Sequence, residues 1–252
     1  MTMTCARLVV PCYNEETRLL PAVFMEFLGN STVADMLFVD DGSRDRTADV
    51  LRGICAAFPR KASLLQLPRN AGKAEAVRQG VLAALESDSP FVGFWDADLA
   101  TPLESVALFL EEFDKHPHLE MVIGARVRLL GRTIDRRAVR HYAGRVFATA
   151  VSLMLRLPVY DTQCGAKLFR ATPALRKIFG EPFLSRWIFD VEILARLSIE
   201  RQRTGGTPPE ACVAELPLPV WRDVKGSKIQ PGDLLRVARD LWLIHRWLRH
   251  AR

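Results

Sequence analysis

With 252 residues, 49% of them hydrophobic and 25% charged, the chain can bury a sizeable core and is too apolar for a disordered segment. Five cysteines (5, 12, 55, 164 and 212) form an odd set without C-x-x-C spacing, which argues against a disulfide framework and a structural zinc site and makes reduced cytoplasmic thiols the expectation. The formal net charge of +6 is unevenly spread: seven arginines (126, 128, 132, 136, 137, 140 and 145) stand against one acid, Asp135, a cluster suited to phosphates of some kind.

In chain order, a short apolar strand is predicted over 6–10, stopped by Pro11, with an acid-rich helix start at 12–16 whose helix carries Leu19, Leu20, Val23, Phe24, Phe27 and Leu28. A second strand over 36–39 runs into Asp40-Asp41-Gly42-Ser43 and a helix over 46–58. A third strand over 63–67 precedes Pro68-Arg69-Asn70-Ala71-Gly72 and a helix over 73–86. The fourth, Phe91-Val92-Gly93-Phe94-Trp95, delivers Asp96 and Asp98, one residue apart, to its carboxyl end. A helix from about 102 and a fifth strand over 121–125 complete the alternation. Repeated strand–helix units predict a parallel sheet with helices on both faces and a ligand crevice at the carboxyl ends.

A dinucleotide-binding domain is disfavoured, because the first turn is Pro-Cys-Tyr-Asn-Glu-Glu rather than G-x-G-x-x-G and its acids would repel a pyrophosphate. Phosphate would need a metal. Asp96 and Asp98 suit a divalent cation such as Mg²⁺ or Mn²⁺, which takes one or two carboxylates plus substrate phosphates, although a D-x-D triplet alone also fits loop acids or a helix cap. After 125 the alternation ends. An amphipathic basic segment over 136–157, a helix over 189–203, a strand over 212–216 and a basic amphipathic helix over 232–250 (Leu234, Val237, Leu241, Ile244 and Leu248 in line) follow. No run approaches the roughly 20 apolar residues needed to span a bilayer, and the amino terminus lacks a signal-peptide core.

Four motifs in order, Val10-Pro11-Cys12-Tyr13-Asn14-Glu15, Val39-Asp40-Asp41-Gly42-Ser43-Arg44-Asp45-Arg46-Thr47, Arg69-Asn70-Ala71-Gly72-Lys73 and Asp96-Ala97-Asp98, resemble the family 2 glycosyltransferases of the GT-A fold. Gly124-Ala125-Arg126, the stretch from Asp161 to Phe169, Phe189-Asp190-Val191-Glu192 and Gly226-Ser227-Lys228 are similar to the polyprenyl-phosphate hexose synthases, above all the dolichyl-phosphate β-glucosyltransferases, with the mannose synthases as relatives. The resemblance implies a GT-A, Rossmann-like, mixed and mainly parallel sheet with helices on both faces, plus amphipathic basic helices in the carboxyl-terminal half. It also implies one domain over 1–252, with a nucleotide-sugar half (6–125), an acceptor half (126–230) and a terminal helix (231–252).

By the same resemblance, Pro11, Tyr13, Glu15, Asp40, Asp41 and Ala97 line the nucleotide, with Asp41 suited to accept from a base N–H; the Asp40–Asp41 pair also fits a turn and helix cap. Asp98 would hold the metal directly, and Asp96 directly or through water and the ribose. Lys73 and Lys228 would meet the diphosphate, or be solvated lysines. Mannose synthases place a third metal ligand where Ala100 stands and tend to have a serine where Gly144 stands, so both contacts are missing here. Arg126 and Arg140 fall where acceptor-phosphate arginines lie. A phosphate monoester is already ionised near neutral pH and attacks without a base. A hydroxyl acceptor would need one, and Asp190 is the candidate, with a structural N-cap as its other role.

The expected function is therefore an inverting, metal-dependent transfer of a hexose, glucose from UDP-glucose, to a polyprenyl phosphate, catalysed by Asp98, Arg126, Arg140 and Asp190. The alternatives are GDP-mannose as donor, a sugar hydroxyl in polysaccharide synthesis as acceptor, or a non-catalytic nucleotide-sugar or nucleic-acid binder. Nucleic acid is disfavoured, since only Tyr142 and Phe147 interleave the arginines. The basic amphipathic helices suit either a peripheral position at the inner, cytoplasmic membrane face or ordinary core packing. Recruitment by a separate membrane subunit is left open.

Overall fold

The computed structural model describes residues 6–135, 138–224 and 233–251, with backbone only at 138–143 and 233–234. The predicted alternation is present as β1 (Ala6–Cys12), α1 (Pro21–Asn30), β2 (Ala34–Asp40), α2 (Thr47–Ala57), β3 (Ala62–Gln66), α3 (Lys73–Ala84), β4 (Phe91–Trp95), α4 (Ser105–Lys115) and β5 (Met121–Ala125). There follow β6 (Thr133–Asp135), α5 (Ala138–Leu155), β7 (Ala166–Arg170), α6 (Pro173–Gly180), α7 (Phe189–Thr204), a short α8 (Pro209–Cys212), β8 (Val213–Pro217), β9 (Val220–Arg222) and α9 (Asp233–Ala251).

Seven strands form one sheet in the order β3-β2-β1-β4-β7-β5-β8, and β6 pairs with β9 beside it. All neighbours in the large sheet are parallel except β7, which runs antiparallel between β4 and β5. Side-chain alternation divides the core between the two faces. Val9, Val39, Val92 and Phe94 pack with α3 and α7, while Leu8, Val10, Phe38 and Trp95 pack with α1, α2 and α4. The carboxyl ends of β1, β2 and β4 therefore open on one edge, where the strand order reverses and such sheets bind ligands.

Two expectations change. The helix expected from 12–16 begins only at Pro21, because the intervening backbone donors are taken elsewhere: Asn14 N by Ser43 Oγ, Glu15 N by Thr47 Oγ1 and Glu16 N by Asp45 Oδ2, at 3.0, 2.8 and 3.2 Å. Asn14 adopts a left-handed φ of 51°, which bends the chain away from a helix, and Pro21 supplies the first fixed helical φ. The 161–169 motif also contains a strand that periodicity does not show. Lys167, the second residue of β7, is fully buried and interrupts the apolar run.

Candidate active site at the carboxyl ends of the strands

Trp95, the last residue of β4, is buried and donates its indole N–H to the carbonyl of Thr101 at 2.8 Å, which ties down the 96–101 loop. Asp96 N donates to Gly165 O at 2.9 Å, and Leu99 N to Asp96 O at 3.2 Å. Leu99 has φ 54°, a conformation that costs a non-glycine residue about 1–3 kcal/mol. The loop is thus held in a tight turn that projects Asp96 and Asp98 from the strand end. Gly165 closes the turn from the other side: a Cβ there would lie 1.9 Å from Asp96 Oδ2.

Two basic side chains stand beside the acid pair. Lys73 Nζ lies 2.5 Å from Asp96 Oδ1, and Arg18 Nη2 lies 3.8 Å from Asp98 Oδ2 while also meeting Glu15 at 3.3 Å. Burial raises the Asp98 pKa and the neighbouring Asp96 raises it further, against the Ala100 N–H, Lys73 and Arg18. A folded-state pKa above the unfolded value makes ionised Asp98 a cost to folding that is complete above the folded pKa and relieved as pH falls through it. Asp98→Asn is expected to raise the thermal midpoint of the ligand-free protein at neutral pH, with the gain shrinking on acidification. A lower midpoint in the same scans would count against it.

Two acids that repel each other and recruit cations have the character of a divalent-metal site, and their hard oxygens fit Mg²⁺ or Mn²⁺. No group of three His, Cys, Asp or Glu able to hold a metal occurs among the described residues. A bound ion would complete its shell with ligand or water oxygens, as Ala100 implies.

The other residues expected to meet the nucleotide follow the strand ends. Pro11 and Cys12 end β1 opposite Val39 and Asp40, Tyr13 and Glu15 follow, and Ala97 is buried between the two acids. Asp40 accepts from Ser43 N at 3.1 Å and Gln66 Nε2 at 3.4 Å. Asp41, 2% exposed, accepts from Ala71 N (2.7 Å), Gly72 N (2.8 Å) and Asn70 Nδ2 (2.9 Å). These three donors leave one of a carboxylate's roughly four lone-pair positions for a further donor. Burial raises the Asp41 pKa, and the two backbone donors oppose that rise. Asp41 thus fixes the 70–72 loop, and with it the start of α3 and the stem of Lys73.

Of the residues expected to meet the acceptor, Arg126 forms a two-pronged pair with Asp161, Nε to Oδ2 at 2.6 Å and Nη2 to Oδ1 at 2.7 Å, and its guanidinium lies over the Trp221 ring at 5.3 Å. Glu215 accepts from the Tyr160 and Asp161 backbone N–H groups at 2.7 Å each, which steadies Asp161. Arg145 stacks on Tyr160 at 3.8 Å. Arg140 lies in α5, but its side chain, like Lys228, is outside the described residues.

Asp190 is not the N-cap of α7; Ile188 holds that position. Its carboxylate is 2.5 Å from Lys167 Nζ, which also donates to Cys164 O at 2.6 Å and lies 5.1 Å from the Phe94 ring centre. Burial raises the Asp190 pKa, and Lys167 and Lys73 oppose it. Sequence reasoning missed Lys167, Asp161 and Arg18. Lys167 and Asp161 fall inside a quoted motif, which was their one signal.

The chain is similar to known proteins in sequence and in fold. The description "Glycosyl transferase family 2" matches residues 8–176, more than half of the chain. The dolichyl-phosphate β-glucosyltransferase of Drosophila melanogaster is 32% identical over 264 residues, covering 96% of this chain and 74% of that protein. The Homo sapiens enzyme of the same name is 30% identical, covering 96% and 76%. Among solved structures, glucosyl-3-phosphoglycerate synthase from Mycobacterium tuberculosis with phosphoglyceric acid aligns with a TM-score of 0.66 at 19% identity, covering 97% of this chain and 80% of that one. The same synthase with Mn²⁺, UDP and glucosyl-3-phosphoglycerate gives 0.61 at 20% identity, covering 96% and 78%. The fold is the Rossmann-like GT-A arrangement, and the chain belongs to glycosyl transferase family 2.

Proposed function

We propose that the protein is an inverting glycosyltransferase that moves glucose from UDP-glucose to a polyprenyl phosphate of the dolichyl type at the cytoplasmic face of a membrane. The names of its curated relatives supply the acceptor class, and the UDP and Mn²⁺ held by the solved neighbours support the donor and the metal. The observation that carries the reading is Asp190, buried and ion-paired with Lys167. The acid best placed by sequence to activate a hydroxyl is already neutralised, so the acceptor must arrive ionised, as a phosphate does with a second pKa of about 6.

In this mechanism Pro11, Tyr13, Glu15 and Ala97 line the nucleoside, and Asp41 offers its remaining lone pair to a base N–H. Asp96 and Asp98 would hold Mg²⁺ or Mn²⁺, which supplies Lewis-acid neutralisation of the departing diphosphate. Lys73 and Lys228 meet diphosphate oxygens. Arg126, joined by Arg140, holds the acceptor phosphate against the anomeric carbon, with Asp161 orienting its guanidinium through Nε and Nη2. One in-line attack through an oxocarbenium-like state inverts the anomeric centre and gives a β-linked product from an α-linked donor.

Membrane contact falls to a different face of α9 from the one its apolar periodicity suggests. Ile244 and Leu248 are buried and Val237 and Leu241 pack on the core, whereas Leu235 and Trp242 are 80% and 56% exposed, with Arg246 stacked on Trp242. An exposed tryptophan among arginines suits an anionic lipid interface. No helix among the described residues is long and apolar enough to cross a membrane.

One experiment tests the reading. With radiolabelled UDP-glucose and anionic vesicles, label is expected in the organic phase only when polyprenyl phosphate is present, and the protein is expected to float with the vesicles. Label in a water-soluble glycan would overturn the acceptor, and protein left wholly at the bottom of the gradient would overturn the membrane contact.

A further inference from the structure

We propose that Lys73 is the resident counter-ion of Asp96 in the ligand-free protein and that it yields this carboxylate to a divalent cation as it turns to the donor's diphosphate. Metal and nucleotide would then enter as a coupled pair. The inference rests on the metal and diphosphate assignments above and adds to them an order of contacts.

The geometry sets up a competition. Asp96 Oδ1 is buried and has no hydrogen-bond partner apart from its ion-pair contact with Lys73 Nζ at 2.5 Å. A cation bound through that oxygen must therefore replace an ammonium already there. The stem of Lys73 is fixed, while the side chain beyond it is long and flexible. Lys73 is the first residue of α3, and the residues before it are pinned from two sides. Asp41 accepts from Ala71 N and Gly72 N, and Arg186 donates to Ala71 O at 2.6 and 3.0 Å. Gly72 takes φ 97°, a turn that only glycine makes cheaply. Beyond this anchor the Lys73 side chain is 43% exposed and carries its charge on four rotatable carbons. It can leave Asp96 without disturbing the backbone.

Electrostatics give the exchange its direction. Without ligand, Lys73 stands among three carboxylates, paired with Asp96 and in the field of Asp190 and Asp98. The other base beside the acid pair, Arg18, is engaged with Asp98 and Glu15. A metal ion alone would meet the acid pair together with the ammonium, and like charges would oppose its entry. A nucleoside diphosphate offers Lys73 a second anion, so Lys73 loses nothing by giving up Asp96. Coupling of this kind is reciprocal: UDP tightens the metal by the factor by which the metal tightens UDP.

The test follows free Mn²⁺ by its solution EPR signal, which disappears on binding, with purified protein and no acceptor. Wild type is expected to bind Mn²⁺ weakly alone and more tightly with UDP. Lys73→Met should bind Mn²⁺ alone about tenfold more tightly, equivalent to about 1.4 kcal/mol, and should lose most of the enhancement by UDP. Lys73→Arg, which keeps the charge, should resemble wild type. Thermal midpoints check that both variants are folded, which the exposure of Lys73 leads one to expect. Equal or weaker Mn²⁺ binding by nucleotide-free Lys73→Met, beside normal Mn²⁺ uptake by wild type with UDP, overturns the exchange and leaves the metal site standing. No Mn²⁺ uptake by wild type with UDP overturns both.

Discussion

Lys167→Met is expected to destabilise the protein by about 3–5 kcal/mol, because removing one partner of a buried ion pair leaves the other charge uncompensated. Lys167 is fully buried, and its ammonium has two anionic or polar partners, the Asp190 carboxylate and the Cys164 carbonyl. Lost with it are the link from β7 to the start of α7 and the hold on the Cys164 peptide next to Gly165. In a protein of this size such a loss lowers the thermal midpoint by about 10 °C or more. Urea unfolding of Lys167→Met, Asp190→Asn and the double variant Lys167→Met/Asp190→Leu measures it. The single variants should both fall, and the double variant should recover much of the loss, since well-packed apolar groups often replace a buried pair at little cost. Wild-type stability in Lys167→Met would show that the pair does not hold α7 to the sheet. Recovery of turnover in the double variant would also speak for a structural Asp190, because a base cannot be replaced by leucine.

The second large effect is expected from one added methyl group. In Gly165→Ala the new Cβ would lie 1.9 Å from Asp96 Oδ2 and 2.2 Å from Asp96 Cγ. Gly165 does not adopt a left-handed φ, so alanine fits its backbone and the clash alone decides the outcome. The Gly165 carbonyl is tied to Asp96 N, so the loop cannot simply back away. Asp96, whose side chain is 32% exposed, is the part that moves. A displacement of about 1 Å in a positioning group can cost about 100-fold in rate. Turnover is expected to fall by about that factor, while the thermal midpoint shifts by no more than about 4 °C, the change that about 1 kcal/mol makes in a domain of this size. Full activity in Gly165→Ala would remove Asp96 from the catalytic arrangement. A collapse in stability would instead mean that the 161–165 loop supports the fold as well as the site.

The two variants also mark where the sequence stops being legible. Strands β1 to β5 could be read because their apolar residues run together, and because motif residues gather where the first four end. The acid pair was visible for the same reason: Asp96 and Asp98 terminate an unbroken apolar strand. The partners of the charged groups were not visible. Lys167 meets Asp190, and Arg126 meets Asp161, across 23 and 35 positions of sequence. They meet only because β7 enters the sheet in reverse between β4 and β5, and no local pattern specifies that insertion. A lysine in second place in Ala-Lys-Leu-Phe-Arg reads as an exposed residue until its acid is brought over it. For the amphipathic helices, a membrane interface and core packing were both legible. Periodicity gave α9 one apolar stripe but not what lies against it, and that stripe turned out to face the core.

The reversed strand also constrains how the protein is made. β5 touches no earlier strand: its two neighbours are β7 and β8, both synthesised later. As the chain leaves the ribosome, β4 keeps one bare edge and β5 waits unpaired until residues 166–170 arrive, which exposes hydrogen-bonding edges that invite association with other chains. The motifs up to Asp98, although they occupy one continuous stretch of sequence, therefore rely on later residues to close the sheet beside β4. A fragment cut at the end of β5 would hold every residue of the acid pair's own strand, yet lack the strand that closes the sheet and the glycine that sets Asp96.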